Sequence, residues 1–320
     1  MISKFSTYFR LFRGLNLVFI VLVMYILRYF LIVPWLRICN NAPFLTDDLF
    51  NLMVLAVVFI TAAGYVINDY YDQIIDGINK SSKQIVGVLV SPNVANILFW
   101  VFSILGSILG IYISFRIGHI NLGSIFMITS FMLYYYSLKY KRLLLWGNLV
   151  VAFLSAMVIL MPWLFEFFAQ LSSPSTFLSN NQCMNVIRQI SFILFGFAFL
   201  MTLIREWIKD MEDIEGDKKG ERISLPIRFG IKSTKLITLS TILIVLLTAG
   251  ILQFLLIKNN YSSLAYYSIA TISAPLLYLS SKLWTAKNQS DFHFASTISK
   301  LIMLMGILFL ILCYYVIFKY

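Results

Sequence analysis

Apolar runs of about 20 residues recur along the whole chain, each long enough to cross roughly 30 Å of hydrocarbon as a helix, and that recurrence leaves few folds open. The runs lie near 14–36, 49–68, 93–116, 121–138, 146–168, 186–208, 234–257, 262–282 and 297–318. Inside a bilayer a backbone must satisfy its own hydrogen bonds, which leaves helices and closed barrels. Uninterrupted runs of this length point to helices. The expected fold is all-α, a polytopic membrane protein of nine transmembrane helices forming one domain over residues 1–320. Composition agrees: 60% of residues are hydrophobic and 12% charged, where a soluble domain has about 45–50% and about 25%. Short connections within 93–138 and 234–282 predict antiparallel hairpins.

The net charge of +11 would raise nucleic acid as a partner for a soluble protein. Here the basic residues sit in short segments between apolar runs, so they report orientation instead. With the N-terminus in the cytoplasm, 19 of the 25 Lys and Arg fall on the cytoplasmic side. The first run, 14–36, is too long for a signal-peptide core and no small-residue cleavage site follows, so it is expected to stay as the first helix. Arg28 and Glu166 lie near outer ends of runs and are expected to snorkel. The polar, uncharged stretch 169–185 reads as an outer loop. Cys39, Cys183 and Cys313 are far apart, and His119 and His293 are isolated; none has metal-ligand or redox spacing.

Acidic residues do cluster. Ten of the fourteen fall in two windows. The first holds Asn68, Asp69, Asp72 and Asp76; the second holds Asp210, Asp213 and Asp217, with glutamates between. In both, the aspartates stand at i, i+3 and i+7, which share one face of a continuous helix. Three carboxylates on one face repel one another unless a cation lies between them. Mg²⁺ takes one or two carboxylates together with phosphate oxygens. Two such faces opposed across a cavity would hold a diphosphate through Mg²⁺. Lys83, Lys139, Lys141, Arg205, Lys209 and Lys218, all on the same expected side, would neutralise the remaining phosphate charge.

These residues resemble the UbiA superfamily of intramembrane prenyltransferases. Asn68, Asp69, Asp72 and Asp76 match the family's first motif, NDxxDxxxD, in full, and Asp210, Asp213 and Asp217 match its second, DxxDxxxD. Ser224-Leu225-Pro226 is similar to the family's Thr-Leu-Pro, and Arg13-Gly14-Leu15-Asn16 to its Arg-Pro-x-Asn. Tyr136-Ser137, the basic stretch 139–142 and Gly147-Asn148 also look like a family segment. The chain departs from the family at Lys83, which takes an arginine position and loses bidentate geometry, and at Gly14, which replaces a proline.

The resemblance implies helices around a central cavity, and Mg²⁺-dependent transfer of a prenyl group from a prenyl diphosphate to a hydrophobic acceptor. Asp69, Asp72, Asp76, Asp210, Asp213 and Asp217 would hold the metal, and Asn16, Asn68 and Tyr136 would join the basic residues in binding substrate. The stretch 205–217 looks most like the branch that alkylates geranylgeranylglyceryl phosphate; branches alkylating 4-hydroxybenzoate or dihydroxynaphthoate remain alternatives. Tyr70, Tyr71, Tyr135 and Tyr136 are candidates to line the path of an allylic cation. The expected setting is a prokaryotic plasma membrane with the site on its cytoplasmic side, with no nucleic-acid partner and no obligate protein partner. A cation transporter is the competing class; its carboxylates belong near the bilayer midplane, whereas these stand at helix ends.

Overall fold

The computed structural model describes residues 4–79, 84–172, 174–220 and 222–318. In chain order the helices are α1 (Lys4–Leu11), α2 (Gly14–Leu27), α3 (Val33–Ile38), α4 (Asp47–Tyr71), α5 (Gln73–Asn79), α6 (Pro92–Arg116) and α7 (Ser124–Leu138). They continue with α8 (Trp146–Leu171), α9 (Pro174–Glu212), α10 (Ile214–Lys219), α11 (Leu225–Lys258), α12 (Ser262–Ser268), α13 (Ala274–Thr285) and α14 (Gln289–Phe318). Among the described residues no β-strand is present.

Local chemistry sets the boundaries. The Thr46 hydroxyl accepts from the Leu49 amide to start α4, with Asp47 and Asp48 in the first turn. Ser91 caps α6 in the same way, with Pro92 in its first turn. Both devices use the free amides and positive dipole at a helix start.

Among the described residues, seven helical stretches are long and apolar enough to cross a membrane: Gly14–Ile38, Asp47–Tyr71, Pro92–Arg116, Trp146–Leu171, Asn181–Glu212, Leu225–Lys258 and Gln289–Phe318. The first runs from α2 to α3 through a π-helical turn at Arg28–Ile32. The other two expected spans, 121–138 and 262–282, form shorter helices. One is α7, of 15 residues; the other is α12 and α13, separated by a π-helical turn at Ile269–Ser273. Both expected hairpins form: α6 packs on α7, and α11 on α12.

Three apolar clusters join the helices side by side. One unites α2, α4, α6, α7 and α8; a second unites α2, α3, α8, α9 and α14; a third unites α9, α11, α13 and α14. The contact of α14 with α2 closes the arrangement. Close approach depends on small residues, as in membrane packing generally. A Cβ on Gly106 of α6 would stand 2.6 Å from the Ile60 side chain and 3.0 Å from the Ala56 carbonyl of α4.

The structure corrects three expectations at the end of the bundle away from the aspartates. The stretch 169–185 is not an open loop, because α8 runs to Leu171 and α9 starts at Pro174. Polarity there reports exit from hydrocarbon, not loss of helix: at 39 residues, α9 is about 58 Å long, nearly twice the hydrocarbon thickness. Cys39 and Cys183, 144 residues apart, form a disulfide between the end of α3 and the first turns of α9. Arg28 and Glu166 do not snorkel; their side chains are 2% and 0% exposed and lie 3.6 Å apart. Arg28 also donates to Asp47 at 2.9 Å and lies over the Phe50 ring. Glu166 accepts from the Phe44 and Leu45 amides and from Gln170. The network satisfies groups that a bilayer would otherwise leave unpaired.

Candidate active site

The aspartate windows do not lie on continuous helices. Helix α4 ends at Tyr71, Asp72 is its C-terminal cap, and α5 starts at Gln73. Helix α9 ends at Glu212, Asp213 is the break, and α10 starts at Ile214. Both breaks fall on the middle aspartate, with φ and ψ of −92° and 5° at Asp72 and −102° and 15° at Asp213. The third aspartates, Asp76 and Asp217, therefore ride on separate short helices, and α5 and α10 pack against each other.

These breaks sort the carboxylates. Asp72, Asp76, Asp213 and Asp217 line one cavity of about 600 Å³. Asp69 and Asp210 do not line it. Each is held by an arginine from elsewhere in the chain. Arg13, left-handed at φ 50° between α1 and α2, meets Asp69 Oδ1 at 3.0 Å and covers the Tyr65 ring. Arg222, just after α10, donates to Asp210 Oδ1 at 3.1 Å, and Asn148 of α8 donates to Asp210 Oδ2 at 2.9 Å. Arg222 also donates to the Lys141 carbonyl at 3.0 Å and lies 3.6 Å from Asp217 Oδ1.

Lys141 completes the tie between the two motifs. Its ammonium pairs with Asp72 Oδ1, and its side chain is 4% exposed. The 139–142 stretch is pressed against the start of α8, where a Cβ on Gly147 would stand 2.9 Å from Lys141 Cα. That contact explains the glycine in Gly147-Asn148, and Asn148 serves Asp210 one residue on.

The charges are strongly coupled. Burial pushes the Asp217 carboxyl up to about 6, with Arg222 opposing and Asp210, Asp213 and Asp72 adding to the shift. Burial lowers the Lys141 ammonium, against the pull of Asp72. Burial would lower the Arg222 guanidinium too, but Asp210 and Asp217 together raise it.

Of the sequence-predicted binding residues, Asn16, Asn68, Tyr136, Lys141, Arg205 and Lys209 line the cavity. Lys139 and Lys218 are exposed and do not. Lys83 lies outside the described residues. Tyr70, Tyr71 and Tyr135 do not line the cavity either; Tyr70 and Tyr71 stack edge-on and Tyr71 reaches the Tyr134 hydroxyl at 3.3 Å. Sequence reasoning missed Arg222, Glu206, Asn148 and Lys300 as site residues, and used Arg13 only as part of a motif. Arg222 carried one local signal, its place between the second acidic window and Ser224-Leu225-Pro226.

Away from this charged end, the cavity wall becomes apolar, with Phe19, Val57, Phe126, Met157, Leu304 and Ile307 among its residues. Among the described residues, no three acidic, histidine or cysteine side chains converge into a ready-made metal cluster. The donor set still fits Mg²⁺, which uses few carboxylates and takes its other oxygens from phosphate and water. In particular, Oδ2 of Asp217 is buried and accepts no hydrogen bond. One cavity lined by carboxylates of both motifs and by many apolar side chains suits an amphiphile with an anionic head and a hydrocarbon tail.

The chain is similar to known proteins along most of its length. The sequence pattern described as the UbiA prenyltransferase family matches residues 17–308. The digeranylgeranylglyceryl phosphate synthase of Methanothermobacter thermautotrophicus is 31% identical over 256 residues, covering 79% of this chain and 80% of that protein. The synthase of the same name from Methanosphaera stadtmanae is 35% identical over 237 residues, covering 74% and 76%. Among solved structures, that of a digeranylgeranylglyceryl phosphate synthase in membranes superposes with a TM-score of 0.61 at 26% identity, covering 97% of this chain and 98% of that one. A UbiA homologue from Archaeoglobus fulgidus, bound to GPP and Mg²⁺, shares the fold with a TM-score of 0.50 at 18% identity, covering 95% and 99%.

Proposed function

The chain belongs to the UbiA prenyltransferase family, a multi-pass membrane enzyme, and on that premise we propose that it transfers a geranylgeranyl group from its diphosphate to the free hydroxyl of geranylgeranylglyceryl phosphate. The observation that supports this most is the cavity itself: Asp72 and Asp76 of one motif and Asp213 and Asp217 of the other line it together, and much of the remaining wall is apolar. The relatives with the highest similarity among those described above act, by their names, in the synthesis of digeranylgeranylglyceryl phosphate. Residues 1–320 are read as a single prenyltransferase domain.

In this reading Asp72, Asp76, Asp213 and Asp217 hold Mg²⁺ against the diphosphate, while Asp69 and Asp210 anchor Arg13 and Arg222 and so fix the rims of the site. Mg²⁺ supplies Lewis-acid neutralisation of the leaving group. Lys141 and Arg222 place positive charge beside the same phosphates. The allylic C–O bond breaks and the diphosphate departs with its electron pair. The prenyl carbon is held meanwhile in an apolar chamber that keeps water away from the developing cation. The acceptor hydroxyl oxygen bonds to that carbon, and its proton leaves through the wet end of the cavity. Tyr136, which lines the cavity, is the aromatic ring proposed to stabilise the same carbon.

The site is assigned to the cytoplasmic face of a prokaryotic plasma membrane. The excess of basic residues on that side supports this, and so does the disulfide. Cys183 and Asp210 lie on the same helix, 27 residues apart, hence about 40 Å, a separation that suits a disulfide on the opposite side of the bilayer from the site, in an oxidising compartment.

Purified protein in detergent, given labelled geranylgeranyl diphosphate, Mg²⁺ and geranylgeranylglyceryl phosphate, 4-hydroxybenzoate or dihydroxynaphthoate, tests the proposal. Label should move to the glyceryl phosphate and stop with EDTA or with Asp72→Ala. Transfer to an aromatic acceptor instead would reassign the branch. No transfer and no diphosphate release would remove the reading.

A further inference from the structure

Among the described residues the cavity is lined by the carboxyl groups of Asp72, Asp76, Asp213, Asp217 and Glu206. The four aspartates belong to the two motifs; Glu206 belongs to neither. It lies on α9, seven residues before Asp213, hence about 10 Å along the helix axis. Spacings of three and four keep the two on one helix face, and that face runs on into the chamber with Thr202, Ala198 and Leu194. Along this helix, Glu206 is the last carboxylate before the wall turns uncharged. A donor whose diphosphate sits at the aspartates and whose tail enters the apolar part carries its reacting carbon past this stretch.

Glu206 is held by one oxygen. Arg205 at 2.8 Å and Lys209 at 3.8 Å both meet Oε1. Among the described residues, no hydrogen bond or ion pair reaches Oε2. The side chain is 12% exposed, so the pairing also fixes its orientation. Glu212, the next glutamate along α9, does not line the cavity and meets His293 at 2.9 Å instead. Glu206 is thus the one carboxylate among these that stands at the cavity wall and has no part in holding metal or diphosphate.

We propose that Glu206 is the general base of the reaction, its Oε2 taking the proton of the acceptor hydroxyl. The inference rests on the proposed alcohol acceptor and deepens it. The allylic C–O bond breaks and its electron pair leaves with the diphosphate. A lone pair of the acceptor oxygen forms the new C–O bond. The electrons of the O–H bond stay on that oxygen, and the proton passes to Glu206 and then to solvent. A carboxylate paired with two cations is a weak base, and a weak base is enough here. Once the hydroxyl oxygen has bonded to an allylic cation, its proton is that of a protonated ether, far more acidic than that of an alcohol. What the reaction needs is an oxygen held within reach in a place that excludes water.

Glu206→Gln, Glu206→Asp and Glu206→Ala proteins are compared with wild type in detergent. Equilibrium binding of geranylgeranyl diphosphate and steady-state transfer to geranylgeranylglyceryl phosphate are both measured. Glu206→Gln keeps the size of the side chain and should lower kcat roughly a hundredfold or more, with diphosphate affinity and KM for both substrates unchanged. Glu206→Asp should retain part of the wild-type rate. Added formate should restore transfer to Glu206→Ala, where the shortened side chain leaves room for it. Wild-type kcat in Glu206→Gln would overturn the proposal. So would a loss in Glu206→Ala that formate leaves unrepaired, with or without weaker diphosphate binding; Glu206 would then only position Arg205 and Lys209. A wild-type protein that transfers nothing to this acceptor would remove the underlying reading as well.

Discussion

Arg222 is the side chain on which most of the site's geometry converges: it reaches Asp210, Asp217 and the Lys141 carbonyl from one guanidinium. Only a planar fork with several donors can do this, so Arg222→Lys should recover charge without geometry. Arg222→Ala strands Asp210, which is 2% exposed, and should cost about 3–5 kcal/mol of stability, seen as a lower melting temperature in detergent together with lost transfer. Asp217 offers a pH test. Its carboxyl is raised from the usual 3.8 to about 6 by burial and like-charge neighbours. The folded, metal-free protein therefore holds this proton to higher pH than the unfolded chain does. That stabilising contribution is fully present below pH 3.8 and is lost as pH rises through about 6. A metal must displace the same proton, so apparent Mg²⁺ affinity should weaken as pH falls below about 6. Titrating Mg²⁺ against diphosphate release at several pH values checks this, and Asp217→Asn should flatten the dependence. Both aspartate motifs were legible in the sequence because their spacing is local. Their partners were not, because Arg13 and Asp69 are 56 residues apart and Lys141 and Asp72 are 69 apart, and no periodicity reports a pairing over that distance.

Helix breaks, not helix faces, present the motif carboxylates. The i, i+3, i+7 spacing led to the expectation of one straight helical face. The structure keeps the spacing but bends the chain at Asp72 and Asp213. The sequence carried no glycine or proline at either point to announce it. The bend lets one motif send its first aspartate to an arginine and its other two to the cavity. The opposite end of the bundle shows the same limit. Cys39 and Cys183 looked incidental because their pairing depends on how α3 and the start of α9 come together. Removing that cross-link, with its loop of more than 140 residues, should cost about 2–5 kcal/mol. Cys39→Ser should lower the melting temperature while leaving KM for both substrates unchanged, since the bond lies far from the site. Gly147→Ala should do the reverse. Its new methyl would press on Lys141 Cα from 2.9 Å, displacing the ammonium from Asp72, so kcat should fall by more than stability does.

At the scale of the whole molecule, the apolar chamber sets which prenyl chains fit. Val158 of α8 lines it. Val158→Phe should leave a ten-carbon donor usable and depress transfer of a twenty-carbon one, read as a shift in product chain length with mixed diphosphates. Hydrophobic run lengths predicted most of the membrane helices but not their order around the cavity, which the contact of α14 with α2 settles. That contact has a consequence for how the enzyme comes into being. Asn16 and Phe19 lie on one side of the chamber, and Lys300, Leu304 and Ile307 on a wall built some 280 residues later. A ribosome adds about 5–20 residues per second, so the chamber stays unwalled for on the order of tens of seconds after α2 has entered the membrane. During that interval lipid tails occupy the space that the prenyl chain will later fill, and insertion of α14 encloses it. The enzyme is thus expected to mature with a hydrocarbon already inside, and mass spectrometry of protein purified without substrate should find a co-purifying lipid.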